Sequence, residues 1–262
     1  MDHLPHFRRE IRAFAAAARR AAADAPVVPS CPDWSVTDLV AHLGGVHRFV
    51  SRVVEDRLAE PPDTTDRAFL RLPAGSERRP ASLEDGPHRG PVPAGLIEWF
   101  EEGAAELAEH FRETGPDEPV WSWTRERSTG FWLWVQSVEA ALHRWDAENA
   151  IGAAAPLDAD HAADAIGRHL GVVAPAWRAR AQAPAGSGER LRFRRTDGPG
   201  EWTVSFEGDA ILPAEGPCDA ELSGTASDLL LFLWHRLPAD ALAGVRGDRE
   251  ALGRYFVLVP PV

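Results

Sequence analysis

The sequence contains no lysine, and all 28 of its basic residues are arginine. This absence excludes a Schiff-base lysine and a phosphate-loop lysine, and with them the enzyme classes that need one. Cysteine is also scarce, since the chain has only Cys31 and Cys218, far apart in the sequence. Two such cysteines are typical of reduced thiols in a cytoplasmic protein.

Long apolar runs and clustered positive charge are missing as well. No stretch approaches the roughly 18 apolar residues that a membrane span requires, and the first residues show no secretory signal pattern. The formal net charge of −12 at pH 7 argues against a nucleic-acid footprint or an anionic membrane surface. We therefore expect a soluble, cytoplasmic monomer or homodimer without nucleic-acid or membrane partners.

Two familiar groups of catalytic and nucleotide-binding motifs are absent too. The chain has no Gly-x-Ser-x-Gly nucleophile elbow, which gives Ser/His/Asp catalysis no support. It also lacks a Gly-x-Gly-x-x-Gly or phosphate-loop motif.

The hydrophobic pattern predicts four helices in the first part of the chain. Ser35 is a good N-cap with Asp38 three residues later, and Gly152 suits the position just after a helix. A stretch at 61–91 rich in Pro, Gly, Arg and Asp is predicted to be a long loop. The predicted helices cover about 5–24, 35–58, 93–114 and 130–151. Four amphipathic helices of this kind indicate a four-helix bundle, an architecture that builds metal sites between facing helices.

The remainder of the chain has a different hydrophobic pattern. A fifth helix is predicted at about 156–178, and period-two alternation in 190–195 and 202–206 predicts a β-hairpin. Thr225 is predicted to cap a helix that ends before Pro238. The fold class is therefore two-domain α+β. Its domains are a helix bundle at 1–155 and a small α+β domain at 156–262, with a connecting helix at about 156–178.

Three residues are candidates for a metal site. Glu139 and His143 are four residues apart, which places them one turn apart on the same face of a helix. With His42 from the second helix they give two imidazoles and one carboxylate, a set that leaves metal positions open as catalytic zinc sites do. Asp146, three residues after His143, is placed to accept the other imidazole N–H or to act from outside the ligand set.

Other interpretations of these residues stay open at this point. A single histidine on an apolar face is often a core residue, and a Glu-x-x-x-His pair is often an ordinary ion pair on a helix. His47, five residues past His42, is expected to point away from the His42 face and to be structural. His161 and His169 are expected to be solvated.

Three motifs, in order along nearly the whole chain, resemble one family. The first is Cys31–His47, which reads CPDWSVTDLVAHLGGVH, and the second is Glu139–Glu148, which reads EAALHRWDAE. The third comprises 196–202 together with 224–238, which includes Arg236-Leu-Pro238. These segments are similar to the mycothiol-dependent maleylpyruvate isomerase family, whose members join a DinB-like metal-binding four-helix bundle to a C-terminal domain related to sterol-carrier folds.

The resemblance implies a function and a set of site residues. His42, Glu139 and His143 would bind a divalent metal, with zinc expected, and mycothiol would be the thiol cofactor. Arg236 is the best match for an arginine that holds cofactor or substrate. Together with Asp146 it completes the candidate catalytic residues.

We therefore predict a metal- and mycothiol-dependent enzyme that acts on a small electrophile by thiolate addition. The outcome would be cis–trans isomerisation, as in maleylpyruvate isomerase, or S-transfer of the thiol. The alternative is a non-catalytic module of the same fold that binds a metal or a small ligand.

Overall fold

The structure is a computed structural model that describes residues 1–63, 68–73 and 86–260. The chain forms two compact units. The first comprises Met1–Ser122 and Glu126–Ala155, and the second comprises Trp123–Arg125 and the chain from Pro156 onward. Within the described ranges, no helix is long and apolar enough to cross a membrane.

Among the described residues of the first unit are four long helices and one short hairpin. The helices are α1 (Leu4–Ala21), α2 (Val36–Glu55), α3 (Leu96–Thr114) and α4 (Thr129–Ala150). The hairpin pairs β1 (Val27–Val28) with β2 (Cys31–Ser35), and a single 3-10 turn covers Ala68–Leu70. The predicted four helices are confirmed, whereas sequence analysis did not predict the hairpin. Much of the loop predicted at 61–91, namely 64–67 and 74–85, lies outside the described residues.

The helix ends follow the predicted local signals. The Ser35 hydroxyl accepts a bond from the Asp38 backbone N–H, and the Asp38 carboxylate accepts one from the Ser35 N–H, which completes a capping box. The helix α4 ends at Ala150, and Gly152 follows with a φ of 68°, a conformation that favours glycine. The start of α2 and the end of α4 are therefore fixed by residues that the sequence identifies.

The core of the first unit depends on close contact between α2 and α3. Gly44 faces the indole of Trp99, whose Nε1–H donates to the Leu70 carbonyl at 2.8 Å, while the Arg48 guanidinium lies over its ring. A Cβ atom added to Gly44 would overlap the Trp99 ring, whereas one added to Gly45 would meet only Leu70 Cδ2, at 3.8 Å. Two consecutive glycines in one helix thus stand in opposite environments.

We expect Gly44→Ala to lower the free energy of unfolding by about 1–3 kcal/mol, since overpacking costs that much in rigid cores. Gly45→Ala is the matched control and should raise it by up to about 1 kcal/mol, because alanine is the better helix former. Urea unfolding of both variants tests the pair. Equal stability of the two would mean that the α2–α3 contact can relax without cost.

The second unit combines helices with a five-stranded sheet. Its helical elements are α5 (Ala159–Arg168), a π-helical turn (His169–Val173), α6 (Ala174–Ala181), α7 (Ala226–Leu233), a 3-10 turn (Ala239–Ala241), α8 (Arg249–Gly253) and α9 (Tyr255–Leu258). Its strands are β3 (Gly186–Arg195), β4 (Glu201–Gly208), β5 (Ala210–Pro213), β6 (Ala220–Gly224) and β7 (Gly244–Gly247), in the order β5-β4-β3-β6-β7. The β3–β4 hairpin is antiparallel as predicted, and β3 pairs with β6 in parallel. The mixed α+β fold class is confirmed.

Two features of the second unit differ from expectation. The predicted fifth helix is present from Ala159 to Ala181, but a π-helical turn at His169–Val173 lies within it and separates α5 from α6. The expectation that His161 and His169 are solvated is wrong, since only 2% and 0% of their surfaces are exposed. His169 Nε2 lies 2.9 Å from the Tyr255 hydroxyl, and its ring packs against Trp177 and Trp234. These contacts make it a core residue.

Candidate metal centre

The helices α2 and α4 bring the three predicted ligands together. One ligand atom from each of His42, Glu139 and His143 lies within 4.8 Å of the others. His143 Nε2 is 3.4 Å from Glu139 Oε2, and the ring centroids of His42 and His143 are 5.2 Å apart. His143 is buried while His42 and Glu139 are half-buried, so two of the three candidate ligands keep part of their surface exposed.

Local structure explains this convergence. Glu139 and His143 share a face of α4 because they are one turn apart, as the spacing predicts. His42 lies one turn beyond Asp38, whose carboxylate caps α2 and also accepts the His88 backbone N–H at 2.8 Å. The Trp34 ring lies against the His42 imidazole, with centroids 4.7 Å apart. The capping box therefore fixes the start of the helix that carries His42, and Trp34 packs on its ring.

The buried imidazole of His143 lies between two carboxylates. Its Nδ1 is 3.0 Å from Asp146 Oδ2, and its Nε2 faces Glu139. Burial lowers the pKa of His143, but the hydrogen bonds and charges of Asp146 and Glu139 outweigh it, so that the pKa lies above the usual value. The surroundings of this imidazole thus favour a positive charge, whether it is a proton or a cation.

The donor set fits a divalent transition metal. Two imidazoles and one carboxylate are the ligands of several catalytic zinc sites, and structural sites use four protein ligands instead. For metal–ligand bonds of about 2.1 Å in tetrahedral geometry, two donor atoms stand about 3.4 Å apart. The observed separation of His143 Nε2 from Glu139 Oε2 is 3.4 Å. An imidazole bonded to a carboxylate through Nδ1 also leaves Nε2 as its metal-facing atom.

The remaining candidates lie in different places. Asp146 is where the prediction puts it, in contact with His143, while its catalytic role stays a prediction. Arg236 belongs to the second unit and follows α7, where its Nη1 donates to the Trp234 carbonyl at 2.7 Å. Its role as an anion or cofactor clamp also stays a prediction.

His47 is not part of the cluster. It is fully buried, and its ring packs edge-on against Phe7 and tilted against Phe100. Neither ring nitrogen has a hydrogen-bond partner among the described residues, and burial lowers its pKa to about 3. It is a neutral core residue, as its position five residues past His42 predicts.

One contact at the cluster was missed by sequence analysis. The Ser30 hydroxyl, in the turn between β1 and β2, donates to Asp146 Oδ1 at 2.6 Å. Nothing in the local sequence pairs these residues, which are 116 positions apart. Only a signal for the hairpin itself would have placed Ser30 near α4.

Together, the two units and the cluster define a two-unit α+β protein with a candidate three-ligand metal centre in its helical unit. The model of the mycothiol maleylpyruvate isomerase N-terminal domain matches residues 4–148, and that of the corresponding C-terminal domain matches residues 160–254. The chain belongs to the mycothiol maleylpyruvate isomerase family. The predicted family and the assignment as an enzyme are thereby confirmed, and membership implies a thiol and a small-molecule substrate.

Solved structures of one enzyme share the fold. The crystal structure of the mycothiol-dependent maleylpyruvate isomerase is 15% identical, with a TM-score of 0.57 over 90% of this chain and 88% of that one. A histidine-to-alanine mutant of that isomerase is 16% identical, with a TM-score of 0.57 over 91% of this chain and 89% of that one. At this identity the likeness shows a common fold. A comparison with curated proteins gives no match.

Proposed function

We propose that this protein is a metal- and mycothiol-dependent enzyme that adds a thiolate to a small electrophile. The product would be a cis–trans isomer, as in maleylpyruvate isomerase, or a thiol conjugate. The observation that carries the proposal is the meeting of His42, Glu139 and His143 within 4.8 Å of one another. Membership of the mycothiol maleylpyruvate isomerase family supports the identity of the thiol.

The proposed metal ligands are His42, Glu139 and His143, and the proposed ion is zinc. When bound, such a cation would lower the pKa of a thiol so that it is a thiolate at neutral pH. Asp146, which is fully buried, holds His143 through Nδ1 and so fixes the direction of Nε2. His42 and Glu139 are half-buried, and we propose that thiol and substrate approach the metal past these two ligands.

The reaction needs few further groups from the protein. A thiolate adds to one carbon of a cis double bond and leaves a carbanion at the other carbon, the resulting single bond rotates, and the carbanion expels the thiolate to restore the double bond as trans. In S-transfer the carbanion takes up a proton from water, and the conjugate leaves instead. Both outcomes share the first bond-forming step. We propose that Arg236 is the cation that holds an anionic group of the substrate or cofactor. We propose that the reaction takes place in the cytoplasm, because small thiols are kept reduced there.

The test is to incubate the zinc-loaded protein with mycothiol and maleylpyruvate and to follow the double-bond geometry by proton NMR. Parallel reactions with other small electrophiles are analysed by mass spectrometry for thiol conjugates. We expect a trans product without net loss of thiol, or a conjugate, in each case only with mycothiol present. Glu139→Gln, which keeps the shape of the side chain but removes its charge, should reduce the rate by at least about 100-fold, because it weakens the metal site itself.

Two results would contradict the proposal. Turnover that is unchanged without mycothiol would indicate a thiol-independent enzyme. A protein with one tightly bound metal that converts none of the electrophiles would be a non-catalytic binding module of the same fold.

A further inference from the structure

The β1–β2 hairpin contacts His42 of the candidate centre and also Asp146, the carboxylate that holds His143. At its far end, the ring of Trp34 packs on His42 with centroids 4.7 Å apart. At its turn, Ser30 Oγ lies 2.6 Å from Asp146 Oδ1, and the other oxygen of that carboxylate lies 3.0 Å from His143 Nδ1. The hairpin therefore contacts one ligand directly and the other through Asp146.

The chemistry of Asp146 determines which group is the hydrogen-bond donor in its contact with Ser30. An ionised carboxylate only accepts hydrogen bonds, so the serine hydroxyl donates to Oδ1 and the imidazole Nδ1–H donates to Oδ2. Asp146 is 0% exposed, which makes each donor to its charge important, because water does not replace a lost one. A carboxylate held from one side by Ser30 stays oriented toward His143 on the other side.

We propose that Ser30 is a positioning residue of the metal centre, which acts through Asp146 to hold His143 with Nε2 toward the cluster. This inference rests on the proposed function, since it assumes that His42, Glu139 and His143 bind a cation. Partners outside the ligand set typically change metal affinity by about 10- to 100-fold when removed. Ser30 is one hydrogen bond further away than Asp146, so we expect the lower end of this range.

The test measures zinc affinity by competition with a chromophoric chelator, independently of catalysis. Ser30→Ala should raise the Kd for zinc about 10-fold, and Ser30→Thr, which keeps the hydroxyl, should bind as the unmodified protein does. Ser205→Ala is the matched control, because the Ser205 hydroxyl also donates to a carboxylate, Glu207, at 2.6 Å. Ser205 lies in the second unit, and its loss should leave the Kd unchanged.

A second comparison separates this role from a purely structural one. In the Asp146→Asn background, Ser30→Ala should change the Kd less than about twofold, because the group through which it acts is already altered. If Ser30→Ala fails to fold by circular dichroism, Ser30→Val is compared with the isosteric Ser30→Thr.

The outcomes separate the two proposals. An unchanged Kd in Ser30→Ala, or a full 10-fold effect that persists in Asp146→Asn, would overturn the role of Ser30 and leave the metal centre intact. A wild-type protein that binds no zinc would overturn both.

Discussion

Replacing His42 or His143 with alanine should abolish metal retention while the chain stays folded. Each variant leaves one imidazole and one carboxylate, and we expect zinc affinity to fall by more than about 100-fold, beyond the range seen for residues outside the ligand set. Activity should be lost with the metal. Metal content after dialysis and chelator competition measure the first effect, and the NMR assay measures the second.

The two variants should differ in stability. His143 is bonded to the fully buried Asp146, so that His143→Ala removes a donor from a carboxylate that water does not reach. The metal-free variant should therefore lose about 1–3 kcal/mol of unfolding free energy. His42 is only half-buried, and His42→Ala should lose less.

His110→Ala is the control for both ligand variants. This half-buried histidine is on α3, and its Nε2 is 3.9 Å from Glu55. Its removal should change neither metal content nor activity. Full metal occupancy in His42→Ala or His143→Ala would contradict the ligand assignment, whatever the activity of the variant.

The candidate ligands could be predicted because the patterns that identify them lie in the residues next to them in the sequence. Spacing alone puts Glu139 and His143 on one face of α4, and the apolar periodicity around His42 identifies the helix that carries it. The same periodicity predicted the four helices of the first unit to within a few residues. Convergence of the two helices follows from bundle packing, which needs only helix count and amphipathicity.

What the sequence did not reveal depends on contacts between distant residues. The hairpin at 27–35 has a two-residue strand and prolines at positions 29 and 32, so it shows no alternation that would predict a strand. Ser30 and its contact with Asp146 were missed with it. His169 was wrongly expected to be solvated, because Tyr255, which bonds to it, lies 86 residues later. Local pattern contains no information about such partners.

Replacing Arg144, the residue after His143, should have the opposite effect. It should lower the stability of the fold and leave the metal ligands in place. About 100° separates consecutive residues on a helix, so the two side chains leave α4 in different directions. Arg144 Nε donates to Glu10 Oε2 of α1 at 2.9 Å, and its Nη1 donates to Glu148 Oε2 at 2.7 Å and to the Ala155 carbonyl at 2.8 Å. The Arg144 and Glu10 side chains are only 6% and 5% exposed.

We expect Arg144→Met to lower the free energy of unfolding by about 3 kcal/mol, because breaking a buried ion pair leaves a charge without compensation. This is the low end of the usual range, since Arg9 Nε also contacts Glu10, at 3.0 Å. Urea unfolding of the metal-free protein measures the loss. Arg112→Met is the control: Arg112 also pairs with two glutamates, but on the exposed surface of α3, and should show no measurable change.

The double variant Arg144→Met with Glu10→Leu identifies the cause of the loss. If the cost arises from the unpaired Glu10 charge, removal of that charge should restore most of the stability, as apolar replacement of buried ion pairs often does. If stability stays low, the lost bonds to Glu148 and Ala155 are responsible instead. Either result should leave zinc affinity near that of the unmodified protein, because Arg144 contacts the α1–α4 interface and the end of the first unit. A large loss of zinc affinity in a folded Arg144→Met protein would contradict this separation of two adjacent residues.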